Sequence, residues 1–126
     1  MITLIDTSAW IEALRIKGKD EIRKQVKDLL ISGDARIAEP ILIELFHGAR
    51  GKKELDTIQD LAMTVPVLKC SDKVFSESYK HAMELRKKGL TVPAMDILIY
   101  SIAIFHKALI FHNDSDFTAM QTILEK

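Results

Sequence analysis

Five carboxylates are the residues of this chain with most capacity for chemistry: Asp6, Glu44, Asp96, Asp114 and Asp116. Asp6 ends the short apolar run Ile2 to Ile5, and Glu44 stands among Ile41, Leu42, Ile43, Leu45 and Phe46. Asp96 opens the apolar stretch "VPAMDILIYSIAIFHK", while Asp114 and Asp116 follow the buried-looking segment Ala108 to Phe111. If several of them meet, two carboxylates about 4 Å apart repel by roughly 4 kcal/mol at an effective dielectric of 20, and a protein gains nothing structural from that. A divalent cation reverses the sign. Oxygen-only ligands suit hard Mg²⁺ or Mn²⁺, which bind through a few carboxylates plus a substrate phosphate. Zinc fits poorly, because Cys70 stands alone and His47, His81, His106 and His112 show no ligand spacing. His112 alone is near the acids, and it reads as flanking.

Each acid also has a plainer reading. Asp6 is equally well placed as a helix N-cap, although Ala9 does not complete a capping box. A salt bridge to Lys or Arg would account for Glu44, since Glu is almost never buried unpaired. Asp96 lies in the first turn after Pro93, where the helix dipole stabilises a carboxylate by roughly 0.3–1 kcal/mol. The helix is so apolar, however, that this turn should be largely covered, leaving the side chain in need of a partner or a cation. Asp114 and Asp116 suit Asx-turn and N-cap roles for a last helix. For Asp116 that role is at least as good as a direct ligand, whereas the strand-end position of Asp114 favours a functional one.

The elements that must carry these acids follow from periodicity. Ile2 to Ile5 predicts a strand, and Asp6-Thr7-Ser8 a turn into a helix. Ile22, Val26, Leu29 and Leu30 fall at i, i+4, i+7 and i+8 from Asp20 onward, with Gly33 just past the end, which predicts an amphipathic helix. Ala35 to Ala38 suggests a short strand. "EPILIELFHG" predicts a helix with Pro40 in its first turn and Gly48 at a bend or close contact. Leu55, Ile58, Leu61 and Ala62 mark another helix, Val65 to Leu68 a third strand, and Phe75, Tyr79, Ala82 and Met83 a long helix ending near Arg86 to Gly89. The Pro93 helix is apolar all round, as a helix buried on several sides would be. Leu109 to Phe111 reads as a further strand and Phe117 onward as a terminal helix. Short apolar strands alternating with helices predict an α/β sandwich with a mainly parallel sheet. In such sheets ligands bind outside the carboxyl ends of the strands, where Asp6 and Asp114 fall.

At 126 residues, about half of them hydrophobic, the chain fits one domain over 1–126. Lys plus Arg and Asp plus Glu number 18 each, so no global field announces a nucleic-acid, membrane or acidic partner. A single cysteine, no signal-like segment and no apolar run of about 20 residues point to a reducing cytoplasm with no membrane anchor.

Taken in order, "LIDTSAWIE", "EPILIELFHGA", "VPAMDILIYSIA" and "LIFHNDSDF" resemble the four acidic motifs of PIN-domain ribonucleases, particularly the small VapC-type toxins of toxin–antitoxin pairs. The resemblance covers nearly the whole chain. It implies a three-layer α/β/α sandwich, with Asp6, Glu44, Asp96 and Asp114 gathered around Mg²⁺ or Mn²⁺ and Asp116 as an accessory acid. The implied activity is hydrolysis of an RNA phosphodiester by a metal-activated water, without a covalent intermediate. Thr7 or Ser8 would support Asp6 or a water by hydrogen bonding, capping of the first helix being the plainer role. Many relatives carry Thr or Ser where this chain has His112, which bears on the positioning of Asp114. A homodimer silenced by an antitoxin is implied as well, and Trp10 and Ile11 would suit such contacts, although a lone Trp is more often core.

RNA must still be attracted. Arg15, Lys17 and Lys19, then Arg50, Lys52 and Lys53, then Arg86, Lys87 and Lys88 are candidate phosphate contacts, each cluster also explicable as a solvated helix end. Two other classes compete with a nuclease. One is a haloacid-dehalogenase-type phosphoryl-transfer enzyme, which needs a second Asp where Ser8 stands. The other is a non-catalytic module, either a degenerate relative or a signalling receiver. A receiver would need adjacent acids after the first strand and a lysine after a late one, and this chain has neither.

Overall fold

The computed structural model describes residues 1–125. Strand β1 (Thr3–Ile5) is buried along its whole length and lies at the centre of a parallel sheet of order β2-β1-β3. It pairs with β2 (Ala35–Arg36) through Thr3↔Ala35 and Leu4↔Arg36, and with β3 (Leu109–Phe111) through Thr3↔Leu109, Leu4↔Ile110 and Ile5↔Phe111. A parallel strand covered on both faces needs an unbroken apolar sequence, which Leu4 and Ile5 provide.

Two expectations for the sheet change. The segment Val65 to Leu68 is no full strand but a single parallel bridge, Ile37↔Val67. Its bonds run from Ile37 N–H to Pro66 O (3.1 Å) and from Leu68 N–H to Ile37 O (2.8 Å). Pro66 has no N–H to extend the ladder. Nor is the Ala108 to Phe111 segment buried throughout: Ala108 is, but β3 is an edge strand, Leu109 is 53% exposed, and Ile110 and Phe111 are half-buried.

Seven helices, α1 (Thr7–Leu14), α2 (Asp20–Ser32), α3 (Glu39–Gly48), α4 (Gly51–Thr64), α5 (Asp72–Lys87), α6 (Ala94–Phe105) and α7 (Ser115–Leu124), flank the sheet among the described residues. α1 packs on α2 and α3, and α3 on α4; α5 packs on α6 and α7. These two groups enclose Leu4, Ile5, Trp10, Ile37, Ile41, Ile99, Tyr100, Ile102, Phe117 and Met120, all essentially without solvent contact. Trp10 is thus core, while Ile11 stays exposed.

The termini of the helices follow their sequences. α2 ends on Gly33, whose φ of 81° is the left-handed conformation glycine adopts at no steric cost. Gly48 closes α3 with open space around its Cα and makes no close contact. The α1–α2 turn needs Gly18 for another reason: a Cβ there would stand 1.8 Å from the Glu12 carbonyl oxygen. The apolar α6 is buried only from Ile99 to Ala103; Ala94 and Met95 in its first turn and Ile104 and Phe105 at its end are exposed.

Candidate metal centre

The turns after β1 and β3, the middle of α3 and the first turn of α6 bring the acids together. Asp6 is the residue between β1 and α1 and acts as the α1 N-cap, its carboxylate accepting from the Ser8 N–H at 3.0 Å and the Ser8 hydroxyl at 2.6 Å. The same Ser8 Oγ accepts the N–H of Asn113 at 2.9 Å, which ties the turn after β1 to the turn after β3. A backbone bond from Asp6 N–H to Phe111 O (2.9 Å) does so again.

Glu44 projects from the middle of α3, and its Oε1 accepts the Thr7 hydroxyl at 2.7 Å. Among the described residues it forms no salt bridge. Thr7 therefore supports Glu44 rather than Asp6, which is supported by Ser8.

In the turn after β3 the roles of the two aspartates differ from expectation. Asp114, not Asp116, is the N-cap of α7, its Oδ1 accepting the Asp116 N–H at 2.9 Å. Asp116 is left in the first turn of α7 with its carboxylate free to turn toward Asp96. His112 is more than a flanking residue: its Nδ1 accepts the Asp114 N–H at 3.2 Å, and its ring lies against Phe117 with centroids 5.3 Å apart. That bond requires a neutral ring with its proton on Nε2.

Asp96, Asp114 and Asp116 can place one carboxylate oxygen each within 4.8 Å of one another, all three half-buried. Asp96 carries the consequence. Its pKa is pushed up to about 7, first by partial burial and then by the charges of Asp6, Asp114, Glu44 and Asp116. All five acids thus share one electrostatic neighbourhood. The first turn of α6 is more open than expected, so part of this shift is repulsion rather than coverage. Asp6 is the most buried of the five, and burial raises its pKa, with the Asp114 charge adding to that and the Ser8 bonds opposing it. Among the described residues none of the five forms an ion pair with Lys or Arg.

An oxygen-only set of crowded carboxylates, one of them poised to hold a proton near neutrality, fits a hard divalent cation, and capping α1 and α7 accounts for Asp6 and Asp114 but not for their crowding with Asp96 and Asp116. The part-buried hydroxyl and backbone bonds to Asp6, Glu44 and Asp114 fix carboxylate orientation in the way outer partners of metal ligands do. Periodicity could not have found Asn113, whose bond to Ser8 joins residues 105 positions apart.

The basic clusters are partly committed. Arg15 forms a bidentate pair with Glu54, Lys19 donates to Asn113 Oδ1 at 3.1 Å, and Lys52 pairs with Asp56 at 3.6 Å.

The PIN-domain family matches residues 3–122 of this chain. Ribonuclease VapC11 of Mycobacterium tuberculosis is 37% identical over 124 residues, which cover 95% of this chain and 92% of the relative. VapC ribonuclease Mb1587 of Mycobacterium bovis matches with the same identity and the same coverage. Among solved structures, VapBC2 from Rickettsia felis, bound to a DNA fragment from its promoter, superposes with a TM-score of 0.78 at 24% identity, covering 94% of this chain and 92% of that one. The architecture built above from strands and caps is the architecture of that structure.

Proposed function

The chain belongs to the PIN-domain family, and from that premise we propose that it is a divalent-metal-dependent endoribonuclease, the toxin of a toxin–antitoxin pair. The observation that carries the reading is the cluster of Asp96, Asp114 and Asp116, with Asp6 and Glu44 near enough to raise the Asp96 pKa and, among the described residues, no ion pair to Lys or Arg. Mg²⁺ or Mn²⁺ is the ion these hard oxygen donors suit, and when bound it supplies Lewis acidity toward the phosphoryl oxygen and activates a water at neutral pH.

The chain's own residues do the rest by position. Asp96 and Asp114, with Asp116 as a direct rather than an accessory ligand, would hold the ion, and Asp6 and Glu44 would add their charge beside it. Thr7 holds Glu44 and Ser8 holds Asp6, each hydroxyl donating its proton to the carboxylate it orients. With a bound cation supplying the activated water, hydrolysis would need no covalent enzyme intermediate. His112 keeps the Asp114 backbone in the extended conformation that aims its carboxylate along the strand exit.

The reading extends to residues 1–126 acting as one domain in the cytoplasm, as a homodimer bound by a cognate antitoxin. Uncovered apolar side chains support it: Ile43 and Phe46 on α3, and Phe75, Tyr79 and Met83 along α5. No helix of the described residues is long and apolar enough to cross a membrane.

The test is direct. Purified protein should cut single-stranded RNA only with Mg²⁺ or Mn²⁺ present, and Asp96→Asn should lower the rate by at least about 100-fold, the scale on which catalytic positioning is lost. Cutting that persists in chelator retires the reading.

A further inference from the structure

Two cationic clusters that are 35 positions apart in sequence meet in space. The turn after α1 and the start of α4 enclose an open cavity of about 410 Å³ lined by Arg15, Lys17, Arg50, Lys53 and Glu54, with Thr57 at its wall. Four cations face one carboxylate, an excess of three positive charges in a chain whose net charge is zero.

Glu54 organises this cluster more than it neutralises it. Its two oxygens hold the Arg15 Nε and Nη2 at 3.1 and 2.9 Å, and Oε1 also accepts the Arg50 N–H at 3.2 Å. Both side chains of the pair are largely covered, 20% exposed for Arg15 and 12% for Glu54. The fork of Arg15 is therefore fixed in place with its Nη1 unused, while Lys17, Arg50 and Lys53 are exposed and, among the described residues, form no ion pair. A fixed guanidinium beside exposed, unpaired cations is suited to phosphate oxygens.

Location selects the polyanion. α1 carries Asp6 at its N-cap and Arg15 at its C-cap, and its eight residues separate them by about 12 Å. A strand of RNA that delivers one phosphate to five carboxylates meets repulsion there, and a basic concavity one helix length away offsets it on the flanking nucleotides. Gly18 holds the turn that presents Lys17, since any larger residue would collide with the Glu12 carbonyl.

We propose that the cavity between the α1–α2 turn and the start of α4 is a phosphodiester subsite for the RNA strand flanking the scissile position. This rests on the ribonuclease reading, and the experiment separates the two. The probe is a fluorescein-labelled single-stranded RNA of about 12 nucleotides, titrated over a range of KCl in the Asp96→Asn background so that it is not cut. It is bound by the chain with and without the added substitutions Lys17→Ala, Arg50→Ala and Lys53→Ala, which leave the Arg15–Glu54 pair intact and should leave the melting temperature unchanged.

Loss of three phosphate contacts lowers the slope of log K against log[KCl] by about 2, at roughly 0.7 per contact on a single strand. In the otherwise native chain the same triple substitution should cut kcat/KM on this RNA by roughly 10- to 100-fold, mainly through KM, because the lost binding is common to ground and transition states. An unchanged slope and KM overturn the subsite and leave the ribonuclease reading standing. The expected slope change in a wild-type chain that never cuts RNA overturns the ribonuclease reading and leaves the subsite. A polyglutamate peptide that needs these three cations, while RNA does not, makes this a site for an acidic protein segment and overturns the proposal.

Discussion

At the scale of single residues, Asp96 ties stability to pH in a direction opposite to that of most carboxylates. In the unfolded chain it ionises near 3.8, whereas folding pushes it up to about 7. Between those values the folded state holds the extra proton, so the metal-free protein loses stability as pH rises from about 4 to about 7, and this group contributes no further change above that. Asp96→Asn removes the dependence. At pH 8 without metal it should raise the melting temperature by roughly 3–8 °C, taking the relief as about 1–2 kcal/mol after discounting for solvent screening. Melting curves across pH 5–8 for the two proteins check this, and parallel pH dependences would count against the shared electrostatic neighbourhood. Asp6 behaves differently because it also caps α1. Asn caps as well as Asp, so Asp6→Asn should leave metal-free stability unchanged or slightly raised, while Asp6→Ala should cost about 1 kcal/mol. Equal losses in both variants would show that the charge itself, and not the cap, holds that turn.

Between strand and helix, what can be read in advance depends on whether an element is specified by its own residues or by its neighbours. The helix from Asp20 and the one through Phe75, Tyr79 and Met83 stand where their periodicity places them, and the acids at strand exits land on the carboxyl edge because an extended apolar run followed by a capping residue leaves few alternatives. The failures are tertiary. Val65 to Leu68 has the composition of a strand, but Pro66 interrupts its pairing. Asp114 and Asp116 both suit a cap, and only the backbone angle at the end of β3 decides that Asp114 takes it. Gly18 carries no signal in its neighbouring residues, yet the α1–α2 turn passes so close to the Glu12 carbonyl that no side chain fits. Gly18→Ala should therefore destabilise by about 1–3 kcal/mol, the range for a steric clash that forces backbone movement, measurable as a shifted urea midpoint. A midpoint within about 0.5 kcal/mol of wild type would mean that the turn relaxes freely.

For the whole molecule, the question is what covers the apolar surface left by a fold of this size. Phe75, Tyr79 and Met83 lie at i, i+4 and i+8 on one stripe of α5 and are 41%, 64% and 64% exposed. Ile104 and Phe105, also exposed, end the helix α6 against which α5 packs. Stable monomers rarely leave contiguous apolar patches of more than a few hundred Å² uncovered. A two-fold axis through this stripe would place the same residues of a second copy opposite it, and such an isologous pairing closes without leaving a further sticky surface. The net charge of zero removes the long-range repulsion that would oppose it. Light scattering should accordingly give about twice the 14.3 kDa of one chain. Tyr79→Asp with Met83→Asp should halve that mass while leaving the core, and so the far-UV spectrum, untouched, because both side chains point away from it. A wild-type mass of one chain, or a dimer that survives both charges, would assign the stripe to a different partner, and the α3 residues Ile43 and Phe46 would then be the next surface to test for self-association.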